Sequence, residues 1–174
     1  MSALLVTPLS QLAGVVRSSG ALDVISLAGP GRLVDPLEGV ERWTAVTFND
    51  IAEPRDGLVA PQRSHVEAIF EAVDAWSRER PLVVQCWFGV SRSTAAALAI
   101  ATRERPQADM GRLAGTLRRL APWATPNAAV IAHADDLVGL GGRLREAVAA
   151  IGRGSETSEG APFTLRLDQA PTKG

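Results

Sequence analysis

The chain's only cysteine, Cys86, is followed six positions on by Arg92, in the run Cys86-Trp87-Phe88-Gly89-Val90-Ser91-Arg92-Ser93. A thiol and a guanidinium at this spacing, on one short loop, can together hold a tetrahedral oxyanion and attack its central atom. Arginine offers a planar fork of donors that matches two phosphate oxygens. Gly89 can take the positive φ that a tight turn demands. Where such a loop runs into a helix, the first helical N–H groups have no internal partner and can hold an anion, and the helix dipole adds positive charge there. The same field favours the thiolate of a cysteine placed beside it. A thiolate at the floor of a phosphate cradle is positioned for in-line attack on phosphorus. Cys86 is therefore read as nucleophile and Arg92 as phosphate clamp. Trp87, Phe88, Gly89, Val90 and Ser91 join Arg92 as the substrate-contacting residues, and Ser91 and Ser93 can bond the loop or the sulfur.

A bare Cys-x5-Arg spacing arises often by chance in an arginine-rich chain. Its competitor is a buried strand-end cysteine beside an unrelated surface arginine. The surrounding residues favour the first reading, because a motif gains weight from its structural context. Leu82-Val83-Val84-Gln85 reads as a short apolar strand that delivers Cys86, and Ala95-Ala96-Ala97-Leu98-Ala99-Ile100 reads as a helix with small side chains that can pack closely on a sheet.

The remaining elements must position this loop. Ala3 to Val6 and Asp23 to Leu27 read as strands, and so does Arg42 to Phe48, with Asn49 and Asp50 at its end. Pro8 is expected in the first turn of a helix carrying Leu9, Leu12, Val15 and Val16 on one face. Gly29-Pro30-Gly31 begins an irregular loop, and residues 51–60 form another. Pro61 opens an amphipathic helix with Val66, Ile69, Phe70, Val73 and Trp76 along one stripe, ended by Pro81. Three further helices carry Met110 to Leu117, Val130 to Val138 and Leu144 to Ile151. Thr125-Pro126-Asn127 reads as a cap followed by proline at the first helical position. This alternation predicts an α/β fold, a mostly parallel sheet of about four to five strands flanked by helices, with a helical C-terminal half. Ligands of open parallel sheets bind outside the carboxyl ends of the strands, and Cys86 and Asp50 both fall at such ends. One domain over residues 1–151 is expected, then a weakly ordered tail over 152–174, except for Phe163 to Leu167.

At 174 residues the chain fits one ordinary domain. Its 46% apolar content excludes disorder by composition, and a net charge of −1 argues against nucleic-acid binding through phosphate contacts. The N-terminus lacks a basic region followed by an apolar one, and no stretch approaches the roughly 18 uncharged apolar residues of a membrane span. A cytoplasmic protein with no membrane partner is expected. A single cysteine excludes an internal disulfide. The basic residues are nearly all arginine, Lys173 being the only lysine, which hints at a GC-rich source.

The run Val83 to Ser93 resembles the active-site signature of cysteine-dependent protein tyrosine phosphatases. Within them it is most similar to the dual-specificity-like branch, with its Cys-x-x-Gly-x-Ser-Arg-Ser pattern. The wider layout resembles that branch's small bacterial members over about residues 3–151. The resemblance implies a cofactor-free, two-step reaction on a phosphorylated protein or small phosphate ester. Cys86 forms a cysteinyl-phosphate, and Arg92 with the N–H groups of residues 87–92 stabilises the equatorial oxygens. An aspartic acid protonates the leaving oxygen and then activates water. Ser93 assists release of the thiolate. Asp50 and Asp56 both precede Cys86 at plausible distances; Asp50 is the better candidate, since it comes straight off a strand end and rigid elements place catalytic groups better than loops. One departure stands out: the family usually has histidine before the nucleophile, where this chain has Gln85. Glutamine can bond but carries no charge, which puts the reactivity of Cys86 in question.

Three rival readings bear on the same residues. A phosphatase of this fold acting on a phosphoinositide or nucleotide is disfavoured by the absence of lysine from the loop. A catalytically weak phosphate-binding module draws support from Gln85 alone. Rhodanese-type sulfur transfer is opposed by Ser91-Arg92-Ser93. His65 and His133 lie apart with no clustered cysteines or carboxylates, so no metal site is expected and His65 reads as a surface residue. Trp43 and Trp76 read as core. Trp87 and Phe88 could line the site or pack inside. Asp135-Asp136 reads as a solvated helix face. The oligomeric state and physiological substrate are not set by the sequence.

Overall fold

A computed structural model describes residues 2–168. Five strands, β1 (Ala3–Pro8), β2 (Asp23–Ala28), β3 (Arg42–Thr47), β4 (Leu82–Cys86) and β5 (Phe163–Arg166), form one sheet in the order β3-β2-β4-β1-β5. The first four run parallel, and β5 lies antiparallel on the β1 edge. The helices are α1 (Leu12–Ser19), α2 (Arg63–Ala75), α3 (Arg92–Glu104), α4 (Met110–Leu120), α5 (Ala128–Val138) and α6 (Arg143–Ile151). The mixed α/β architecture is the expected one. No helix among the described residues is long and apolar enough to cross a membrane.

Every residue of β2 and β4 is buried, as parallel strands covered on both faces require. Alternate side chains serve two cores. Ile25, Leu27, Leu82 and Val84 join the larger one, under α2 and α3. Val24 and Val83 face Leu12 and Val16 of α1 in the smaller one. The stripe Val66, Ile69, Phe70, Val73 and Trp76 is buried, and α3 is enclosed from Arg92 to Thr102. Its alanines let other elements close in from several sides at native density. Trp76 lies in the larger core, and Trp43 is half-buried against the smaller one.

Several local readings need correction. Pro8 ends β1 rather than opening a helix, and a 3-10 turn (Leu9–Gln11) separates it from α1. Pairing with β4 continues to Pro8 opposite Cys86, which prolongs the strand. The cap of α5 is Asn127, not Thr125: its side-chain oxygen accepts from the N–H groups of Ala129 and Val130, both at 3.1 Å. Asp135 is fully buried rather than solvated. Its carboxylate accepts from the N–H groups of Gly142 (2.6 Å), Leu144 (2.7 Å) and Arg145 (3.2 Å) and so caps α6 from α5. Asp135→Ala strands buried donors, and its expected cost is about 3 kcal/mol, read as a lower urea midpoint; a loss below about 1 kcal/mol would contradict this role.

The segment after Gly152 supplies β5 within the stretch singled out as an exception, Phe163 to Leu167. Phe163, Leu165 and Leu167 are buried in the larger core. The last part of the expected tail, 169–174, lies outside the described residues.

Candidate active site

Cys86 is the last residue of β4 and is 3% exposed. Its Sγ lies 3.1 Å from Ser93 Oγ, in the first turn of α3. Between them the loop is tied to its neighbours through backbone carbonyls. Trp87 O accepts from Leu9 N (3.2 Å), Val90 O from Thr125 N (2.9 Å) and Phe88 O from Gly160 N (2.8 Å). The N–H groups of residues 88–91, in contrast, donate to no protein acceptor among the described residues. Gly89 sits at φ +65°, and a Cβ there would lie 2.8 Å from Pro8 N, so the end of β1 enforces glycine.

Arg92 is nine-tenths buried; one Nη donates to Phe48 O at 3.1 Å, while its buried Nε has no hydrogen-bond partner among the described residues. A buried guanidinium donor without a partner is costly. Together with the free N–H groups of the loop it forms a set of donors suited to an oxyanion.

Asp50 joins Cys86, Phe88, Val90, Ser91 and Arg92 around one cavity of about 270 Å³. Its Oδ1 accepts from Ser91 Oγ (2.7 Å) and from Asn127 Nδ2 (2.9 Å). The strand end beneath it is fixed as well: Asn49 N donates to Val59 O (2.7 Å) and Asn49 Oδ1 accepts from Val59 N (2.8 Å), closing the loop between them at its base. Asp56 sits on the exposed part of that loop and lines no cavity around Cys86. Of the two aspartates, only Asp50 is brought to the cysteine.

Trp87 and Phe88 are 39% and 54% exposed, so they line the site rather than fill the core. With Arg32, Asn49 and Asp50 they wall a neighbouring cavity of about 330 Å³. The Arg32 guanidinium lies 5.5 Å from the Trp87 ring, within cation–π range. Gln85 is buried, and its Oε1 accepts from Ser26 Oγ at 2.8 Å across the β2–β4 pair. It thus braces the sheet just before Cys86.

His65 is half-buried, not a surface residue. Its Nδ1 accepts from Gln62 N at 3.0 Å, completing a capping box at the start of α2, and its ring lies 5.1 Å from that of Phe48, whose carbonyl holds Arg92. Burial, with a smaller effect of His133, lowers its pKa from 6.5. The neutral ring is therefore the folded form, and protonation would destroy the acceptor at Nδ1. This contribution to stability is complete above about pH 6.5 and is lost as the pH falls through the lowered folded value. His65→Glu keeps an acceptor at the same capping position. The variant is expected to lose less stability than wild type between pH 7 and pH 5.5, measured by urea midpoints; parallel losses in the two proteins would contradict the assignment.

Sequence reasoning missed Asn127, Arg32, Thr157 and Ser158. Pro126-Asn127 carried a usable signal, since asparagine is among the best helix caps; the other three have no local pattern. No family model and no curated protein sequence matches the chain. Solved structures do. DUSP15 superposes with a TM-score of 0.65 at 13% identity, over 85% of this chain and 89% of that one. The Yvh1 phosphatase domain from Chaetomium thermophilum gives 0.61 at 18% identity, over 81% and 93%. The chain has the cysteine-dependent protein tyrosine phosphatase fold. Tk-PTP in its active form shares it at a TM-score of 0.52 and 18% identity, over 79% of this chain and 91% of that one. Within this phosphatase fold, β4 and α3 hold the Cys86 loop between them, and β3 leads to Asp50.

Proposed function

We propose that this protein is a phosphomonoesterase of the protein tyrosine or dual-specificity-like kind, acting through a cysteinyl-phosphate on Cys86. The supporting observation is the set of donors without partners among the described residues, the N–H groups of residues 88–91 and the buried Nε of Arg92, on the loop that carries the one free thiol. Those donors match the charge on the equatorial oxygens of a phosphoryl group in transit. The Cys86 thiolate attacks phosphorus, the bond to the ester oxygen breaks, and protonated Asp50 gives its proton to that oxygen. Asp50, now a carboxylate, takes a proton from the attacking water, and the S–P bond breaks to release phosphate. Ser93, 3.1 Å from the sulfur, donates a hydrogen bond to the departing thiolate. Ser91 and Asn127 steady Asp50 through Oδ1 in both steps. The exposed aromatic wall of Trp87 and Phe88 suits an aryl phosphate such as phosphotyrosine.

Hydrolysis of a small aryl phosphate tests the reading and the choice of acid together. Asp50→Ala is expected to lower kcat about 10²- to 10³-fold, the usual scale for general acid–base catalysis, while Asp56→Ala stays within about twofold of wild type. A large loss in the Asp56 variant with Asp50→Ala unaffected would reverse the assignment. No hydrolysis by folded wild type would reject the phosphatase reading.

A further inference from the structure

Three cavities adjoin one another across the catalytic loop. The one that holds Cys86 shares Asp50, Phe88 and Arg92 with the cavity on the Arg32 side. On its other flank it shares Val90, Thr157 and Ser158 with a cavity of about 480 Å³, walled by residues 153–158 against Trp123 and Thr125. A groove therefore crosses the anion-binding loop, with Cys86 between two outer compartments. A small phosphate ester fills only the middle. An extended polypeptide, advancing about 3.3 Å per residue, can enter on one flank and leave on the other.

The far wall is built, not draped. Gly154 N donates to Thr125 Oγ1 (3.1 Å), Ser155 N to Pro122 O (2.9 Å), and Gly160 N to Phe88 O (2.8 Å). The Ser10 hydroxyl donates to the Glu159 carboxylate. A Cβ on Gly154 would collide with the Trp123 backbone; one on Gly160 would collide with Trp123 Nε1 and lie 2.8 Å from Gly89 O. The segment is thus pinned at both ends, once directly to the loop that carries Cys86. Between these pins residues 155–158 are exposed, and neither Arg153 nor Glu156 forms an ion pair among the described residues. The Thr157 hydroxyl closes its own turn, donating to Glu159 O (2.6 Å) and accepting from Glu159 N (3.3 Å), so the Ser158 hydroxyl, the Arg153 guanidinium and the Glu156 carboxylate are the groups left to meet a polar chain in the groove.

We propose that residues 153–158 form a subsite for the polypeptide flanking a phosphorylated side chain. Ser158, held in place by the Thr157 turn, contacts the residue next to the phosphorylated one, and Arg153 takes an acidic side chain further along. This deepens, and rests on, the phosphatase reading.

Calorimetry on the full chain carrying Cys86→Ser tests it. The probes are a phosphotyrosine nonapeptide with acidic residues on both sides, inorganic phosphate, and vesicles containing a monophosphorylated lipid. Arg153→Ala, and separately Ser158→Ala, are expected to lower peptide affinity relative to phosphate affinity at least about fivefold, the scale of an energetically significant contact. The Arg153 effect should vanish when the peptide's acidic residues become alanine. Both positions are solvent-exposed, and thermal melting checks that the variants fold. A peptide-to-phosphate ratio unchanged within about twofold, peptide binding no tighter than that of phosphate, or a dependence on these residues confined to vesicles would each overturn the subsite. Turnover of an aryl phosphate by the unsubstituted chain separates the two claims. Activity with indifferent peptide binding sinks the subsite alone, whereas subsite-dependent binding without activity sinks the phosphatase reading alone.

Discussion

Cys86→Ser is expected to lower aryl phosphate turnover on the order of 10⁵-fold while phosphate binding survives. On the proposed mechanism the substitution removes the only nucleophile and little else. The position is 3% exposed, and a hydroxyl is slightly smaller than a thiol. The donors the proposal assigns to phosphate belong to the loop backbone and to Arg92, which the change leaves in place. A serine hydroxyl at neutral pH needs a base to become a nucleophile. The nearest polar partner is Ser93, which offers none. Steady-state kinetics and phosphate calorimetry on one preparation separate the two properties. Turnover retained within about tenfold would exclude attack by Cys86.

Arg92→Ala is expected to cost about 10³-fold in kcat/KM, comparable to removal of a transition-state donor in other enzymes. Unlike Cys86→Ser, it should also weaken phosphate binding. The side chain is nine-tenths buried, and its Nη bond to Phe48 O holds the guanidinium in place. Lysine in its place keeps charge but lacks the planar fork, so Arg92→Lys should recover binding more than rate. If Arg92→Lys matched wild type in kcat/KM, charge alone would suffice and the fork would have no special role.

The placement of the loop was legible because its residues are local. Strand, glycine, serines and helix are consecutive, and each obeys its own rule of propensity or periodicity. Asp50 was legible for a related reason: a strand end fixes where it emerges. The features that escaped depend on partners distant in sequence. Asp135 and Asp136 look alike as neighbouring acids, and only the start of α6, folded back onto α5, distinguishes them. Asn127 caps its own helix and also donates to Asp50, 77 residues away. Residues 152–160, rich in glycine, serine and glutamate, carry no hydrophobic period. Their order comes from hydrogen bonds to Phe88, Thr125 and Pro122. Polar composition predicts disorder only where such partners are missing. Gln85, whose replacement of histidine raised a question about reactivity, is spoken for by Ser26 within the sheet.

Acid quenching during turnover of an aryl phosphate, followed by mass analysis of the peptide bearing Cys86, tests the central claim most directly. Wild type should show that peptide carrying one phosphoryl group at early times, and Cys86→Ser should show none. Sustained turnover by wild type with no phosphoryl group on Cys86 at any quench time, or with the group on another residue, would contradict the mechanism.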